Sequence, residues 1–144
     1  MLRMAPYPPS LQGIAAWLAG HGGEWAAGTA FRFAVEAEGR LVGCADLDEI
    51  AGGAGEIGYW FDEAVWGRGY AGEAAAAIVG FAIGTVGLRS LLSGHAVENA
   101  ASGRVLTGLG FRPVGEAMRW YLSRSREVLH REYRLDLQKV AAGA

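Results

Sequence analysis

The chain has 144 residues and a formal net charge of −2, with 51% hydrophobic and 19% charged residues. This length fits one domain with an ordinary core, and the composition is that of a globular protein and not of a disordered one. The near-neutral charge and the lack of a basic tract argue against a nucleic-acid partner. No run of 18 uncharged apolar residues predicts a membrane span, and the first residues, MLRMAPYPPS, lack the core of a signal peptide. We therefore expect one cytoplasmic domain over residues 1–144, without a membrane partner.

The apolar pattern predicts nine elements in the order α-β-β-β-α-β-α-β-β. The first helix begins after Ser10, a suitable N-cap residue, and ends at His21-Gly22-Gly23. Three strands follow over 31–37, 41–47 and 56–61, with a glycine-rich turn at 50–55. The remaining elements are a helix over 71–82, a strand over 89–96, a helix over 99–109, and strands over 112–122 and 128–137. An antiparallel hairpin followed by two inserted helices predicts an α+β fold with a mixed sheet.

The stretch 66–74 reads WGRGYAGEA and contains a G-x-G-x-x-G run. A dinucleotide-binding fingerprint follows its strand almost directly and is followed by an acidic residue about 20 positions later. Here five residues separate the strand from Gly67, and the next strand, RSLLSGHA, has no acid, so we reject that interpretation. A strand, a glycine loop and a helix start still leave backbone N–H groups free to bind an anion. The loop is compatible with a phosphate or pyrophosphate site beside Arg68, or with a simple connecting turn.

Four segments occur in an informative order: EIGYW at 56–60, WGRGYAGE at 66–73, ENAAS at 98–102 and LGF at 109–111. Together they resemble the GNAT superfamily of N-acetyltransferases, in the branch of the ribosomal-protein N-terminal acetyltransferases. Trp66 departs from the Gln or Arg that is usual in the superfamily, a departure that is familiar in this branch. The resemblance covers residues 41–137. It implies a mostly antiparallel mixed sheet of about six strands, splayed at a central parallel pair and flanked by helices.

The resemblance implies an acetyl-CoA-dependent N-acetyltransferase in which a primary amine attacks the thioester directly. Acetyl-CoA, the acyl donor, would bind where strands 56–61 and 89–96 splay apart, and no metal is implied. The acceptor would be a protein N-terminus or a small-molecule amine, and the oligomeric state stays open, with a homodimer as one option. The residues expected to hold the coenzyme are Trp60, Phe61, Trp66, Gly67, Arg68, Gly69, Tyr70, Ala71, Gly72, Asn99 and Ser102.

Two residues are candidates for catalysis on the same resemblance. Glu56 is the candidate general base, because a primary amine is mostly protonated near neutral pH and must lose a proton before it attacks. A solvated or ion-paired carboxylate at a strand start fits Glu56 equally well. Ser102 matches the serine that assists the departing CoA thiolate in the ribosomal branch, although it could also cap a helix turn. The tyrosine that many members use for this purpose is replaced by Leu106.

Family members usually open with a strand and a helix that shape the acceptor side, whereas only nine residues precede Ser10. We therefore expect a shortened N-terminus and an acceptor groove that is open, completed by a partner chain, or impaired. The alternative function is a non-catalytic acyl-CoA-binding sensor or partner domain.

Several conspicuous side chains are expected to be structural. Cys44 lies in an apolar run and is expected to be a small buried residue. His95 ends a strand at the edge of the expected cleft, where we favour a structural role over a proton relay. The five tryptophans are expected to lie mostly in the core, although Trp60 and Trp66 could also line the acceptor pocket.

Overall fold

A computed structural model describes residues 9–143, apart from the side chains of Ala141 and Ala142. Its helices are α1 (Leu11–Ala19), α2 (His21–Ala27), α3 (Tyr70–Phe81), α4 (Ala100–Gly108) and α5 (Leu137–Gly143). Its strands are β1 (Phe31–Ala37), β2 (Arg40–Ala51), β3 (Ala54–Phe61), β4 (Ser90–Ala96), β5 (Arg112–Tyr121) and β6 (Arg126–Asp136). Short 3₁₀ turns lie at Glu63–Val65 and Leu122–Arg124, and a π turn over Ala82–Val86 extends α3.

The six strands form one sheet in the order β1-β2-β3-β4-β6-β5. Neighbouring strands are antiparallel except for the central pair, β3 and β4, which is parallel. The last parallel pair is Glu56 with Leu92, although β3 continues to Phe61 and β4 to Ala96. The two strands therefore separate beyond Glu56 and Leu92. The predicted α+β fold with a splayed parallel pair is confirmed.

Side chains of each strand alternate between the two faces of the sheet. One face packs against α3 and α4 and forms the main core, in which each fully buried aliphatic side chain stabilises the fold by about 1.5–3 kcal/mol. The strands contribute Leu47, Ile57, Leu91, Tyr133 and Leu135 to this core, and the helices contribute Ala75, Ile78, Val79 and Leu106. We call this side the helix face. The opposite face carries Glu56 and Trp60, which alternate with Ile57 and Tyr59 along β3.

Helix α2 was not predicted, and the expected helix end at His21-Gly22-Gly23 is wrong. α1 ends at Ala19, and α2 then runs from His21 to a left-handed Gly28 with φ of 69°. Gly22 and Gly23 lie inside α2 in spite of their low helix propensity. A tertiary contact compensates, because the Trp25 ring packs edge-on at 4.8 Å from the Phe31 ring. Helix stability here comes from packing, which residue propensity does not report.

The last predicted strand was expected to end at Leu137, but β6 ends at Asp136 and α5 begins at Leu137. The Asp136 carboxylate accepts hydrogen bonds from the backbone N–H groups of Gln138 at 3.0 Å and Lys139 at 3.4 Å. This is the geometry of a helix N-cap. The alternating pattern of β6 concealed the helix start, because Leu137 is buried whether it ends a strand or begins a helix.

The end of α4 agrees with its sequence. Gly110 follows the helix with φ of 94°, as expected of a residue that ends a helix in the left-handed region. The N–H of Phe111 donates to the carbonyl of Leu106 at 3.0 Å, and the N–H of Gly110 donates to Thr107 at 3.0 Å. These two bonds form a Schellman motif, and they direct the buried Phe111 ring into the core.

The expectation that the tryptophans lie mostly in the core is wrong. Trp25, Trp60, Trp66 and Trp120 are 46%, 41%, 65% and 47% exposed, and Trp17 is half-buried. The core is instead formed by aliphatic residues, with Phe111 and Tyr133 as its buried aromatic members.

Candidate active site

The gap between β3 and β4 is the central feature of the candidate site. Just beyond the last parallel pair, the Ser93 hydroxyl of β4 donates to the carbonyl oxygen of Ile57 at 3.0 Å. The Ile57 carbonyl therefore points toward β4, and the backbone groups of Tyr59 and Phe61 point the same way, because the direction alternates along a strand. The N–H of Asp62 points the other way and donates to Val42 of β2 at 2.9 Å. Tyr59 and Phe61 thus direct their backbone groups into the gap, whereas the backbone of Trp60, which was also expected to meet the coenzyme, faces Cys44 of β2.

The expected coenzyme loop lies between the end of β3 and the start of α3. Gly67 and Gly69 have φ values of 79° and 80°, a conformation that favours glycine. A Cβ built on either glycine would meet no atom within 4 Å, so the space beside this part of the backbone is open. The indole N–H of Trp66 donates to the carbonyl of Phe61 at 3.0 Å and ties the loop to the strand end.

The N-terminus of α3 has no side-chain cap, unlike the N-termini of α1 and α4. Ser10 caps α1 by accepting from the Gly13 N–H, whereas Gly69 at the start of α3 has no side chain to offer. The first N–H groups of a helix lack partners within the helix, and the helix dipole adds positive potential there. The N–H groups of residues 70–72 can therefore bind an anion. Arg68 is exposed beside them.

Asn99 and Ser102 lie together at the start of α4. The side-chain oxygen of Asn99 accepts from the backbone N–H of Ser102 at 3.3 Å, so Asn99 is the N-cap of α4. The Ser102 hydroxyl does not cap the helix. It lies 2.8 Å from the hydroxyl of Tyr59, on β3. Both candidate coenzyme contacts of α4 thus lie on the helix face, beside the gap.

Glu56 lies on the opposite face, because it is an odd number of positions from Tyr59 on the same strand. It is half-buried, at the point where the parallel ladder ends. A 2.7 Å hydrogen bond to Glu132 is the main cause that raises the pKa of the Arg119 guanidinium. The nearby charge of Glu56 also raises it. Glu56 and Ser102, the two candidate catalytic residues, therefore lie on opposite faces of the sheet at the gap.

His95 has a hydrogen-bond partner at each ring nitrogen. Nδ1 is 2.7 Å from the carbonyl oxygen of Ala96, which can only accept, so Nδ1 carries the proton. Nε2 lies 3.1 Å from the hydroxyl of Tyr133. His95 is 5% exposed, and this arrangement agrees with the structural role that we favoured.

The surroundings of Leu106 and Cys44 also indicate structural roles. Leu106, at the position of the family's tyrosine, is fully buried in the main core. Cys44 is half-buried, and burial together with the nearby Asp46 charge raises the pKa of its thiol to about 11. Within the part of the chain that the structure describes, no group of three His, Cys, Asp or Glu side chains could hold a metal ion, and no helix is long and apolar enough to cross a membrane.

The sequence did not single out Tyr59 as a site residue, although EIGYW was part of the resemblance. Its contact with Ser102 joins residues 43 positions apart. The one available signal was the alternation along β3, which places Tyr59 on the face opposite Glu56. That signal becomes informative only once α4 is known to cover the same face.

Comparison with known proteins defines the class to which this fold and site belong. Residues 1–112 match the family model described as the acetyltransferase (GNAT) domain. This match spans well over half of the chain, and the chain belongs to the GNAT acetyltransferase family. No match was found among curated protein sequences.

Solved structures share the fold at low sequence identity. A probable acetyltransferase superposes with a TM-score of 0.85 at 20% identity, over 95% of this chain and 79% of the other. RimJ from Mycobacterium smegmatis, solved with a CoA-disulfide, gives a TM-score of 0.82 at 22% identity, over 97% and 78%. A chimera of the spermidine N-acetyltransferase SpeG from Vibrio cholerae and hSSAT gives 0.80 at 19% identity, over 96% and 84%.

Proposed function

We propose that this chain is an acetyl-CoA-dependent N-acetyltransferase that moves an acetyl group to a primary amine by direct attack, within a single domain. One observation carries the proposal. The uncapped N-terminus of α3, with its two left-handed glycines and open surroundings, lies next to the gap between β3 and β4. An anion site beside an extended groove fits a ligand that joins a diphosphate to a long, thin, amide-bearing arm.

Coenzyme A has that shape, and the residues present fit it. The N–H groups of residues 70–72 would hold the diphosphate, with Arg68 as an exposed counter-charge. The pantetheine arm would lie in the gap and bond to the backbone of Tyr59 and Phe61 in the manner of an added strand. Asn99 would donate from its NH₂ group, because its oxygen already caps α4.

The two sides of the gap suit the two halves of the reaction. The amine would approach from the face that carries Glu56 and lose a proton to it, directly or through water. The nitrogen lone pair then forms a bond to the thioester carbon, and the carbon–sulfur bond breaks with its electron pair remaining on sulfur. The second proton of the nitrogen then passes through water to the thiolate, which leaves the amide and free CoA. Ser102, on the helix face, would donate a hydrogen bond to the sulfur as its negative charge develops.

A primary-amine acceptor is supported by what the structural neighbours are named for. One is a ribosomal L7/L12 alpha-N-protein acetyltransferase in complex with coenzyme A, and another is a spermidine N-acetyltransferase. Both names describe acetyl transfer to an amine, of a protein in one case and of a small polycation in the other. We extend to this chain only the shared chemistry, a primary amine.

The direct experiment incubates the purified full-length chain with acetyl-CoA and a panel of N-terminal peptides, amino acids, polyamines and aminoglycosides. Release of free thiol is followed against controls without acceptor, and CoA binding is measured by calorimetry. Turnover with at least one amine supports the proposal. Tight CoA binding without turnover across the panel would favour the alternative, a non-catalytic acyl-CoA sensor, and no CoA binding would contradict both.

A further inference from the structure

The hydroxyl groups of Tyr59 and Ser102 form a partly buried pair beside the gap. Tyr59 is the third residue after the last parallel pair of β3, and Ser102 is the third residue of α4. Their oxygens are 2.8 Å apart, and the backbone carbonyl oxygen of Ser102 lies 3.5 Å from the same Tyr59 hydroxyl. The two residues come from elements on either side of the groove that the proposed function assigns to the pantetheine arm.

The direction of this hydrogen bond follows from the groups involved. A phenol is the stronger acid and an aliphatic alcohol oxygen the better acceptor, so we assign the 2.8 Å contact as donated by Tyr59 to Ser102 Oγ, with the Ser102 carbonyl as a longer second acceptor at 3.5 Å. The Ser102 Oγ then accepts from Tyr59, and its own proton remains available for another acceptor. The hydrogen bonds described for residues 9–143 include no other side-chain partner for Ser102 Oγ.

Partial burial keeps the Tyr59 phenol protonated, as a hydrogen bond donated to Ser102 requires. Removal from water raises the pKa of the phenol above its usual value of 10.0, the Ser102 bond lowers it, and the nearby Tyr133 raises it. Tyr59 is therefore a neutral O–H donor under ordinary conditions and does not act as a base toward Ser102. Its contribution is geometric, because the hydrogen bond that Ser102 Oγ accepts from Tyr59 restricts the rotation of the Ser102 hydroxyl.

We propose that Tyr59 is a positioning residue that holds the Ser102 hydroxyl with its proton directed into the gap, toward the sulfur of the departing CoA. This inference rests on the proposed function. As the amine nitrogen bonds to the carbonyl carbon, the carbon–sulfur bond breaks and its electron pair stays on sulfur. Ser102 donates a hydrogen bond to that charge without losing its proton. A donor held in place before the reaction stabilises the developing charge better than one that must reorient.

The test is a double-mutant cycle with Tyr59→Phe, Ser102→Ala and the double variant, measured in full-length protein with acetyl-CoA and the best acceptor of the panel. Tyr59→Phe should lower kcat roughly tenfold, and Ser102→Ala should lower it at least as much. For Tyr59→Phe, the KM for acetyl-CoA and the Kd for CoA should stay within about twofold. In the Ser102→Ala background, Tyr59→Phe should have no further effect on kcat, because the group that it positions is gone.

Two variants separate positioning from a loss of stability. Tyr121→Phe removes a phenol that lies 3.0 Å from Nδ1 of His130 and not against Ser102, so any effect on kcat should be the same in the wild-type and Ser102→Ala backgrounds. Ser102→Thr keeps a hydroxyl and should retain more activity than Ser102→Ala, which tests Ser102 even where Tyr59→Phe fails to fold. An unchanged kcat in Tyr59→Phe, or equal losses from Tyr59→Phe in both backgrounds, would overturn the inference while wild-type turnover upholds the proposed function. A wild-type chain that neither binds CoA nor turns over would overturn both.

Discussion

The helix α4 passes directly over His95 at Gly103. A Cβ on Gly103 would lie 2.9 Å from Nε2 of His95 and 3.3 Å from the hydroxyl of Tyr133. His95 cannot easily move aside, because hydrogen bonds hold both of its ring nitrogens. Glycine at this position therefore allows the close approach of helix and sheet that brings the start of α4 to the gap.

Gly103→Ala should accordingly destabilise the protein even though alanine is the better helix former. Overpacking of this kind typically lowers the free energy of unfolding by about 1–3 kcal/mol. The matched control is Gly108→Ala in the same helix, where an added Cβ meets no atom within 4 Å. That variant should be stabilised by about 0.4–1 kcal/mol. Urea unfolding of both variants checks the pair, and equal effects would contradict the close approach at His95.

Arg32 forms ion pairs with three carboxylates on the side of the sheet opposite the helix face. Its guanidinium lies 2.8 Å from Glu24, 3.1 Å from Asp46 and 3.2 Å from Asp48. The Arg32 and Asp46 side chains are only 17% and 11% exposed. Arg32→Met should destabilise the fold by about 3–5 kcal/mol, because it leaves largely buried carboxylates without their counter-charge. Chemical denaturation measures this loss.

An exposed ion pair provides the control for Arg32. Arg131 and Glu116 are 2.8 Å apart with side chains 42% and 40% exposed, so water screens their attraction. Arg131→Met should cost no more than about 1 kcal/mol. A similar loss of stability in both variants would show that burial does not strengthen the Arg32 interactions.

The effect of Arg32→Met should also depend on pH. Burial raises the pKa of Asp46 and of Asp48 above 3.8 in spite of Arg32. A raised carboxyl pKa contributes stability that is present below the unfolded pKa and is lost as the pH rises through the folded value. Loss of Arg32 removes an attraction that lowers both pKa values. The deficit of Arg32→Met should therefore be larger at about pH 7 than at about pH 4, and a deficit that does not change with pH would contradict the assignment.

Cys44 should react slowly with thiol reagents. Burial is the main cause that raises the pKa of its thiol from 9.0 to about 11. At a pH below both values, a shift of this size leaves roughly a hundredfold less thiolate than an ordinary cysteine has. The rate of alkylation by iodoacetamide should therefore be at least about tenfold below that of a free thiol at about pH 8, and it should rise steeply toward pH 11. Rapid alkylation of the folded protein near neutral pH would contradict this environment.

Glu56→Gln tests the base that the proposed mechanism needs. Removal of a general base should lower kcat by roughly 10²-fold or more and change the acid limb of the pH–rate profile. The matched control is Glu36→Gln, the same substitution at an exposed position of the edge strand β1. An unaltered pH–rate profile in Glu56→Gln would leave Glu56 as a partner of Arg119 and not as a base.

The order of most elements could be predicted from the sequence, because the signals involved are local. The alternation over Phe31–Ala37 predicts β1 with the bounds that the structure gives, and Gly110 predicts the end of α4. Helix α2 could not be predicted, since the contact of Trp25 with Phe31 that compensates for its glycines depends on tertiary packing.

The candidate site, too, could be predicted from the sequence only where its residues are close together in the chain. The glycine loop was found because it is continuous in the sequence. The Tyr59–Ser102 pair was not found, because it depends on how α4 lies across β3, and no local pattern reports a contact over 43 positions. The separation of Glu56 and Ser102 to opposite sides of the gap likewise emerges only when the sheet and α4 are assembled.

The central claim is that the N–H groups at the start of α3 bind the diphosphate of coenzyme A. Gly69 and Gly87 flank the same helical segment, with φ values of 80° and 76° and open space around each. Valine is strained at a positive φ, so Gly69→Val and Gly87→Val should lose similar amounts of stability. Calorimetric titration with CoA compares their affinities. We predict at least about tenfold weaker binding for Gly69→Val, a little over 1 kcal/mol, and wild-type binding for Gly87→Val. Wild-type affinity in a folded Gly69→Val protein would contradict the claim.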